Sequence, residues 1–260
     1  MSAVIIETQA APGIVQLTLN RPAARNALDR ELIEALAAAF ARHGACDSTR
    51  VLLLAAAGSA FCAGADLAAM RDLGRAPALE NRADADRLAA LLRAVRDCPK
   101  PSIACVQGAA FGGGLGLVAA CDVAVASSAA VFRMPEVRLG LVPAVISPYV
   151  IEAIGLRRAR RYFLSAEIID AGAAQAIGLV HEVVAADALG ATCLALALEI
   201  RQGGPQAVAA AKALIAEVGR LPQAALDQRT AEIIATVRAG GEAQQGLAAA
   251  LARRQPPWNA

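Results

Sequence analysis

The chain's 260 residues are 57% apolar but only 3% aromatic, so small aliphatic side chains must build its core, and the length suits one large body with an appendage. The net charge of +2 rests on arginine, since Lys100 and Lys212 are the only lysines, and without a basic stripe interleaved with aromatics nucleic acid is excluded as a primary partner. Six scattered cysteines with no Cys-x-x-Cys pair, and two histidines, argue against a metal centre and for reduced thiols.

The N-terminus shows no basic region followed by a long apolar run, so a cytoplasmic protein is expected. Val15, Leu17 and Leu19 alternate with Gln16 and Thr18 before Asn20-Arg-Pro22, as in a half-buried strand that ends in a turn. Asp29 is placed to cap a helix carrying Leu32, Leu36 and Phe40 on one stripe, and residues 51–56 form a continuous apolar strand. Phe61-Cys-Ala-Gly-Ala-Asp-Leu67 follows as a small-residue turn. Residues 71–87, with charges of both signs around Gly74 and Pro77, read as a mobile surface segment able to border a ligand.

Residues 83–97 then read as a helix, 102–106 as a strand, 113–120 as a helix and 123–126 as a strand. The uncharged run 101–121 is long enough to cross a membrane, but its five glycines, its strand-like start and the Asp122 that ends it make it a strand, a loop and a helix. No membrane association is expected. This alternation implies parallel pairing with helical crossovers, and both a doubly wound sheet and a coil of ββα units fit it. After Asp187 the pattern turns helical, over 188–201, 205–218, 222–237 and 242–254, with Pro205 and Pro222 in first turns. The expected organisation is a catalytic core over 1–187 and a helical oligomerisation region over 188–260.

The chemistry concentrates in Gly108-Ala-Ala-Phe-Gly-Gly-Gly-Leu-Gly-Leu117. A glycine cluster opening an apolar helix presents bare backbone amides to an anion. The amides of Gly113 and of Ala65 in the upstream turn are the candidate oxyanion donors, and losing one such donor typically costs about 3 to 4 kcal/mol of transition-state stabilisation. Tight helix-to-strand packing accounts for a glycine cluster equally well, and the spacing departs from the Gly-x-Gly-x-x-Gly of dinucleotide sites. Glu136 is the candidate acid/base: Pro135 fixes the chain before it, and Val137, Leu139 and Leu141 would desolvate it and raise its pKa. An ion pair with Arg133 or Arg138 is the alternative. Asp66 reads as a pocket-wall or structural residue, Asp122 as a turn or cap, and Arg25 as either a phosphate holder or a solvated arginine.

With Asn20-Arg-Pro and Asn26-Ala-Leu28, residues 61–67, residues 108–122, and Pro135-Glu136 with Gly140-Leu-Val-Pro143 taken together, the chain resembles the enoyl-CoA hydratase/isomerase (crotonase) family over nearly its whole length. The resemblance implies an α/β fold of four ββα turns coiled into a superhelix, with a C-terminal helical region that builds a homotrimer or a hexamer of two trimers. It implies an acyl-CoA thioester substrate, so that coenzyme A enters with the substrate and no separate cofactor or metal is needed. By the same likeness Ala65 and Gly113 match the two oxyanion amides and Glu136 a catalytic glutamate. Arg25 matches a basic position near the CoA phosphates, and Ala63, Asp66 and Leu67 match the strip along the adenine and pantetheine. Gly112, Gly116, Pro135, Pro143 and Ala144 complete the expected substrate pocket.

One departure matters. Hydratases with two catalytic glutamates carry the other at the position of Gly116, which weakens the hydratase reading and strengthens isomerase. Yet Gly116, together with Ala144-Val-Ile-Ser147 in place of the usual glycine turn, resembles the branch containing methylglutaconyl-CoA and carboxygeranoyl-CoA hydratases. In that case Arg71 or Arg75 would be available to a distal carboxylate, with plain surface charge as the alternative for both. The expectation is a hydratase of medium or branched enoyl-CoA, possible rivals being an enoyl-CoA isomerase and a noncatalytic acyl-CoA-binding subunit.

Overall fold

A computed structural model describes residues 3–219 and 221–259. The chain opens with an antiparallel hairpin, β1 (Ile5–Ala11) and β2 (Ile14–Leu19), followed by helix α1 (Arg30–Gly44). α1 starts where expected because the Asp29 carboxylate accepts the Leu32 N–H at 2.9 Å. Three further units follow, each of two strands and a helical segment. The first holds β3 (Val51–Ala56), β4 (Ala60–Cys62), α2 (Leu67–Leu73) and α3 (Ala78–Arg96). The second holds β5 (Ser102–Val106), β6 (Ala109–Phe111) and α4 (Gly113–Ala120), and the third β7 (Val123–Ser127), β8 (Val131–Arg133) and α5 (Ser147–Ser165). β9 (Ile169–Asp170), α6 (Ala171–Ile177) and β10 (Glu182–Val184) close the sheets. Helices α7 (Leu189–Arg201), α8 (Pro205–Val218), α9 (Gln223–Ala239) and α10 (Gly241–Leu251) complete the fold.

Each unit from β3 onward steps from one sheet to the other. First strands join a six-stranded sheet in the order β1-β2-β3-β5-β7-β10, and second strands a four-stranded sheet in the order β4-β6-β8-β9. All neighbours are parallel except β1 with β2 and β8 with β9. The coil of ββα units is therefore the architecture, and the doubly wound alternative is excluded. β3 shows why its run is unbroken: Leu52 and Leu54 enter the main core with Phe40, Leu92 and Phe132, whereas Val51 and Leu53 point to a second cluster with Ile103, Val125 and Cys193. A strand buried on both faces has no polar side to alternate.

The second cluster is covered by Leu189, Cys193 and Ala197 of α7, so the first helix after Asp187 packs on the main sheet. α8 and α9 contain no buried residue, and Ile215, Ile234 and Leu251 lie exposed on the terminal helices. Two expectations change. Residues 71–87, read as a mobile surface segment, lie largely in α2 and α3, where i,i+4 pairing of Arg82 with Asp86 supports the polar face. Pro222 caps α9 from the preceding position instead of occupying its first turn. Among the described residues no helix is long and apolar enough to cross a membrane.

Candidate active site

The site is built first from a loop. Asn26, fully buried in the left-handed region at φ 54°, accepts the Arg21 N–H at 2.8 Å and donates to the carbonyls of Ala57 and Ala60, each at 2.9 Å. These bonds fix the loop between β2 and α1 over the β3–β4 connection. Leu28 then pairs in parallel with Ala65: its N–H donates to the Gly64 carbonyl at 2.7 Å and its carbonyl accepts the Asp66 N–H at 3.3 Å. A residue so bracketed turns its own N–H to the other side. The Ala65 amide has no acceptor among the described residues. Gly64, at φ 94°, lets this turn close on β6, since a Cβ there would stand 2.9 Å from the Phe111 carbonyl oxygen.

From the other side comes the start of α4. Gly112, at φ 48° and ψ −117°, turns the chain out of β6 while its N–H donates to the Arg133 carbonyl at 2.9 Å. Gly113 begins the helix, so its amide has no partner within the helix and lies at the positive end of the helix dipole. The packing explanation for the glycine cluster also holds, at a different residue: a Cβ on Gly114 would lie 2.5 Å from the Cys62 carbonyl oxygen. One position joins all three segments. A Cβ on Gly112 would stand 2.9 Å from Glu136 Oε1 and 4.0 Å from the Gly64 Cα.

Glu136 opens a 3₁₀ turn, Glu136–Leu139, directly after Pro135. Its Oε2 is buried with no hydrogen-bond partner among the described residues, and burial pushes the carboxyl above the ordinary glutamate range. The alternative ion pairs are absent: Arg133 Nε donates to the Ala166 carbonyl at 2.7 Å and Arg138 to that of Ser165 at 3.3 Å. A desolvated carboxyl without a partner is suited to exchanging protons with a bound molecule.

These groups share a cavity of about 330 Å³. Ala63, Ala65, Asp66, Leu67, Gly112, Gly113, Pro135, Glu136, Pro143 and Ala144 all line it. Asp66 also caps α2, accepting the N–H groups of Ala68 and Ala69. Two expected residues do not line it. Arg25 is exposed beside it and contributes a main-chain bond, its carbonyl accepting the Ala63 N–H at 2.9 Å. Gly116 lies beneath the wall, because Ile146 packs on it: a Cβ on Gly116 would fall within the Ile146 Cγ2 methyl and 3.0 Å from its Cβ. Ile146, only 3% exposed, lines the cavity in its place, so a glutamate at 116 would find its room already filled. Arg71 and Arg75 are also outside the wall, and Arg71 is held by Asp72 at 2.9 Å.

Sequence reading missed Leu28, Met70, Leu73, Leu88 and Ile146 as wall residues. Leu28 stands in the quoted Asn-Ala-Leu motif, and Ile146 in the segment that departs from the glycine turn, so both carried a signal without an assigned role. Among the described residues no cluster of His, Cys, Asp or Glu could hold a metal ion, and the six cysteines are free.

Comparison with known proteins decides the family. The family model described as enoyl-CoA hydratase/isomerase matches residues 9–260. The chain belongs to the enoyl-CoA hydratase/isomerase family. It is 34% identical over 254 residues to the mevalonyl-coenzyme A hydratase of Aspergillus fumigatus, covering 95% of this chain and 92% of that one. It is 35% identical over 218 residues to the enoyl-CoA isomerase/hydratase of Mycosarcoma maydis, covering 78% and 77%. The crystal structure of an enoyl-CoA hydratase from Shewanella pealeana superposes with a TM-score of 0.94 at 38% identity, covering 98% of this chain and 96% of that one. The crotonase fold is thus common to this chain and its structural relatives, and in this chain Gly116 lies under Ile146.

Proposed function

We propose that the enzyme adds water across the α,β double bond of a medium or branched enoyl-CoA, with Glu136 as its single acid/base. The observation that carries this reading is a half-buried Glu136 carboxyl beside Gly112 whose Oε2 has no partner among the described residues, in one cavity with two amides likewise unpaired among them. The amides of Ala65 and Gly113 would hold the thioester oxygen. Ionised Glu136 takes a proton from water as the water oxygen bonds to the β-carbon, and the π electrons move onto the thioester as an enolate whose charge the amides meet. Protonated Glu136 then returns a proton to the α-carbon, so H and OH are added and the carboxylate is regenerated. A raised pKa suits this double duty, since the group must both accept and release a proton near neutrality. Ala63, Asp66, Leu67 and Arg25 are the proposed contacts of the pantetheine and nucleotide parts of CoA.

Isomerisation is the second reading. It is favoured by Ile146 over Gly116, because a lone carboxyl can carry a proton from the α- to the γ-carbon without handling water. A noncatalytic acyl-CoA-binding subunit is the third. Turnover of crotonyl-CoA, a β-methyl enoyl-CoA and a β,γ-enoyl-CoA by wild type and Glu136→Gln, with products weighed, separates them. Gain of one water, lost in the variant, supports hydration, and a mass-neutral shift supports isomerisation. Binding without product, indifferent to the substitution, supports the third. The exposed apolar residues of α8 to α10 support self-association, for which a trimer or hexamer is the proposed form, and light scattering would weigh it.

A further inference from the structure

The charged side chains on the cavity wall are all carboxylates: Asp29, Asp66, Asp84 and Glu136. Among the described residues no arginine or lysine lines it. Two arginines outside the lining bond to wall carboxylates, Arg21 to Asp29 at 2.8 Å and Arg87 to Asp84 at 3.1 Å. Elsewhere the wall is mainly aliphatic, with Met70, Leu73 and Leu88 on α2 and α3, and Val142, Val145 and Ile146 between β8 and α5, and among the described residues its one neutral polar side chain is Asn81. Ile146 adds to this apolar lining, because its Cβ and Cγ2 methyl take up the room that a side chain at Gly116 would need.

A carboxylate on the far end of an acyl chain would lose water on entering such a cavity, and it would find carboxylates, methyl groups and one neutral side-chain amide there instead of a cation. A methyl-terminated chain loses nothing of the kind and buries apolar surface against the same wall. We propose that the acyl chain this enzyme accepts has an uncharged end, and that the cation-free aliphatic wall is what selects against a dicarboxylyl-CoA. This rests on the acyl-CoA reading of the site but not on which reaction follows. It departs from the methylglutaconyl-like substrate that the residues around Gly116 and Ala144 suggest, because the arginines available to such a substrate, Arg71 and Arg75, lie outside the wall.

Saturated esters test it without turnover. Valeryl-CoA and glutaryl-CoA match in length and differ at the chain end, and calorimetric titration of the wild type with each is expected to show glutaryl-CoA binding about 30-fold more weakly or worse. Val142→Arg, at an exposed wall position, places a cation in the cavity and is expected to narrow that gap by about tenfold. Equal or tighter wild-type binding of glutaryl-CoA overturns the proposal, as does a gap that Val142→Arg leaves unchanged. Turnover of 2-pentenoyl-CoA in parallel keeps the two readings apart. Preferential valeryl-CoA binding without turnover sinks the hydratase reading and sustains this one, whereas hydration with equal binding of both esters does the reverse.

Discussion

The two halves of the site are made by opposite means. The proposed oxyanion half is main chain: Ala65 is aimed by its parallel pairing with Leu28, and Gly113 by the start of α4, with glycines wedged against Phe111 and Cys62. The proposed acid/base half is one side chain, Glu136, on a short 3₁₀ turn whose flanking Leu139, Leu141 and Val142 are exposed. The first half tolerates changes in side-chain chemistry but not in backbone path. The second retains its shape under substitution and loses its chemistry.

The sharpest test of that contrast is Glu136→Gln. It preserves shape and removes proton transfer, and it is expected to lower kcat/KM for hydration by about 10² to 10⁴-fold with little change in CoA-ester affinity. The carboxyl's raised pKa gives two further signatures. If the ionised form starts the reaction, the acid limb of the wild-type kcat/KM profile lies above the ordinary glutamate value of 4.5. For stability the sign runs the other way from a salt-bridged carboxylate. The unfolded chain releases its proton first as pH rises, so wild-type stability falls between the ordinary and the raised pKa, and above both the full burial penalty remains. Glu136→Gln escapes that penalty. Its Tm is expected to exceed the wild type's at pH 8, with the difference vanishing below the ordinary carboxylate range.

On the main-chain half, Gly113→Pro deletes one amide at a helix position where proline is tolerated, and is expected to reduce kcat by about 10² to 10³-fold. Gly113→Ala is its control. It keeps the N–H and adds a Cβ whose near neighbour is the Leu28 Cδ1, 2.8 Å away at the end of a flexible side chain. A proline variant no slower than the alanine variant would sink the oxyanion role of this amide.

How far each half was legible in the sequence follows from the same contrast. Main-chain sites leave a compositional trace, because close approach and positive φ demand glycine, and Gly64, Gly112 and Gly113 were visible on that ground. Ordered motifs from Asn20 to Pro143 likewise carried the fold. Glu136 was visible as a residue but not as an orphan: only packing shows that Arg133 and Arg138 turn away to main-chain carbonyls. Ile146 was illegible for a related reason. Its role depends on meeting Gly116 across 29 intervening positions, and no local periodicity encodes that contact. The helices α2 and α3 were obscured by their polar faces, which mimic a solvated loop.

Asn26 tests what supports the main-chain half. Asn26→Ala leaves the Arg21 N–H and the Ala57 carbonyl without their buried partner, while the Ala60 carbonyl keeps the Gln107 Nε2–H at 3.1 Å. The expected cost is about 1 to 3 kcal/mol for the stranded groups, read as a lower denaturation midpoint. Since the same loop aims Ala65 through Leu28, kcat should fall as well. A stability loss with unchanged kcat would show that Ala65 is aimed without the loop.

The smallest expected effect is far from both halves. Lys212 on α8 reaches Asp122 Oδ2 at 2.7 Å, an oxygen that also accepts the N–H and hydroxyl of buried Ser102. Removing the lysine leaves Ser102 satisfied and takes away one partly exposed ion pair, so Lys212→Met is expected to cost about 1 kcal/mol or less, shrinking further at high salt. Removing the carboxylate strands two buried donors, so Asp122→Ala should cost more than Lys212→Met by about 1 to 3 kcal/mol. Equal losses from the two substitutions would mean that the pair, and with it the attachment of α8 to the body, matters more than the strand-end bonds of Asp122. In either case kcat should hold, because neither residue lines the cavity.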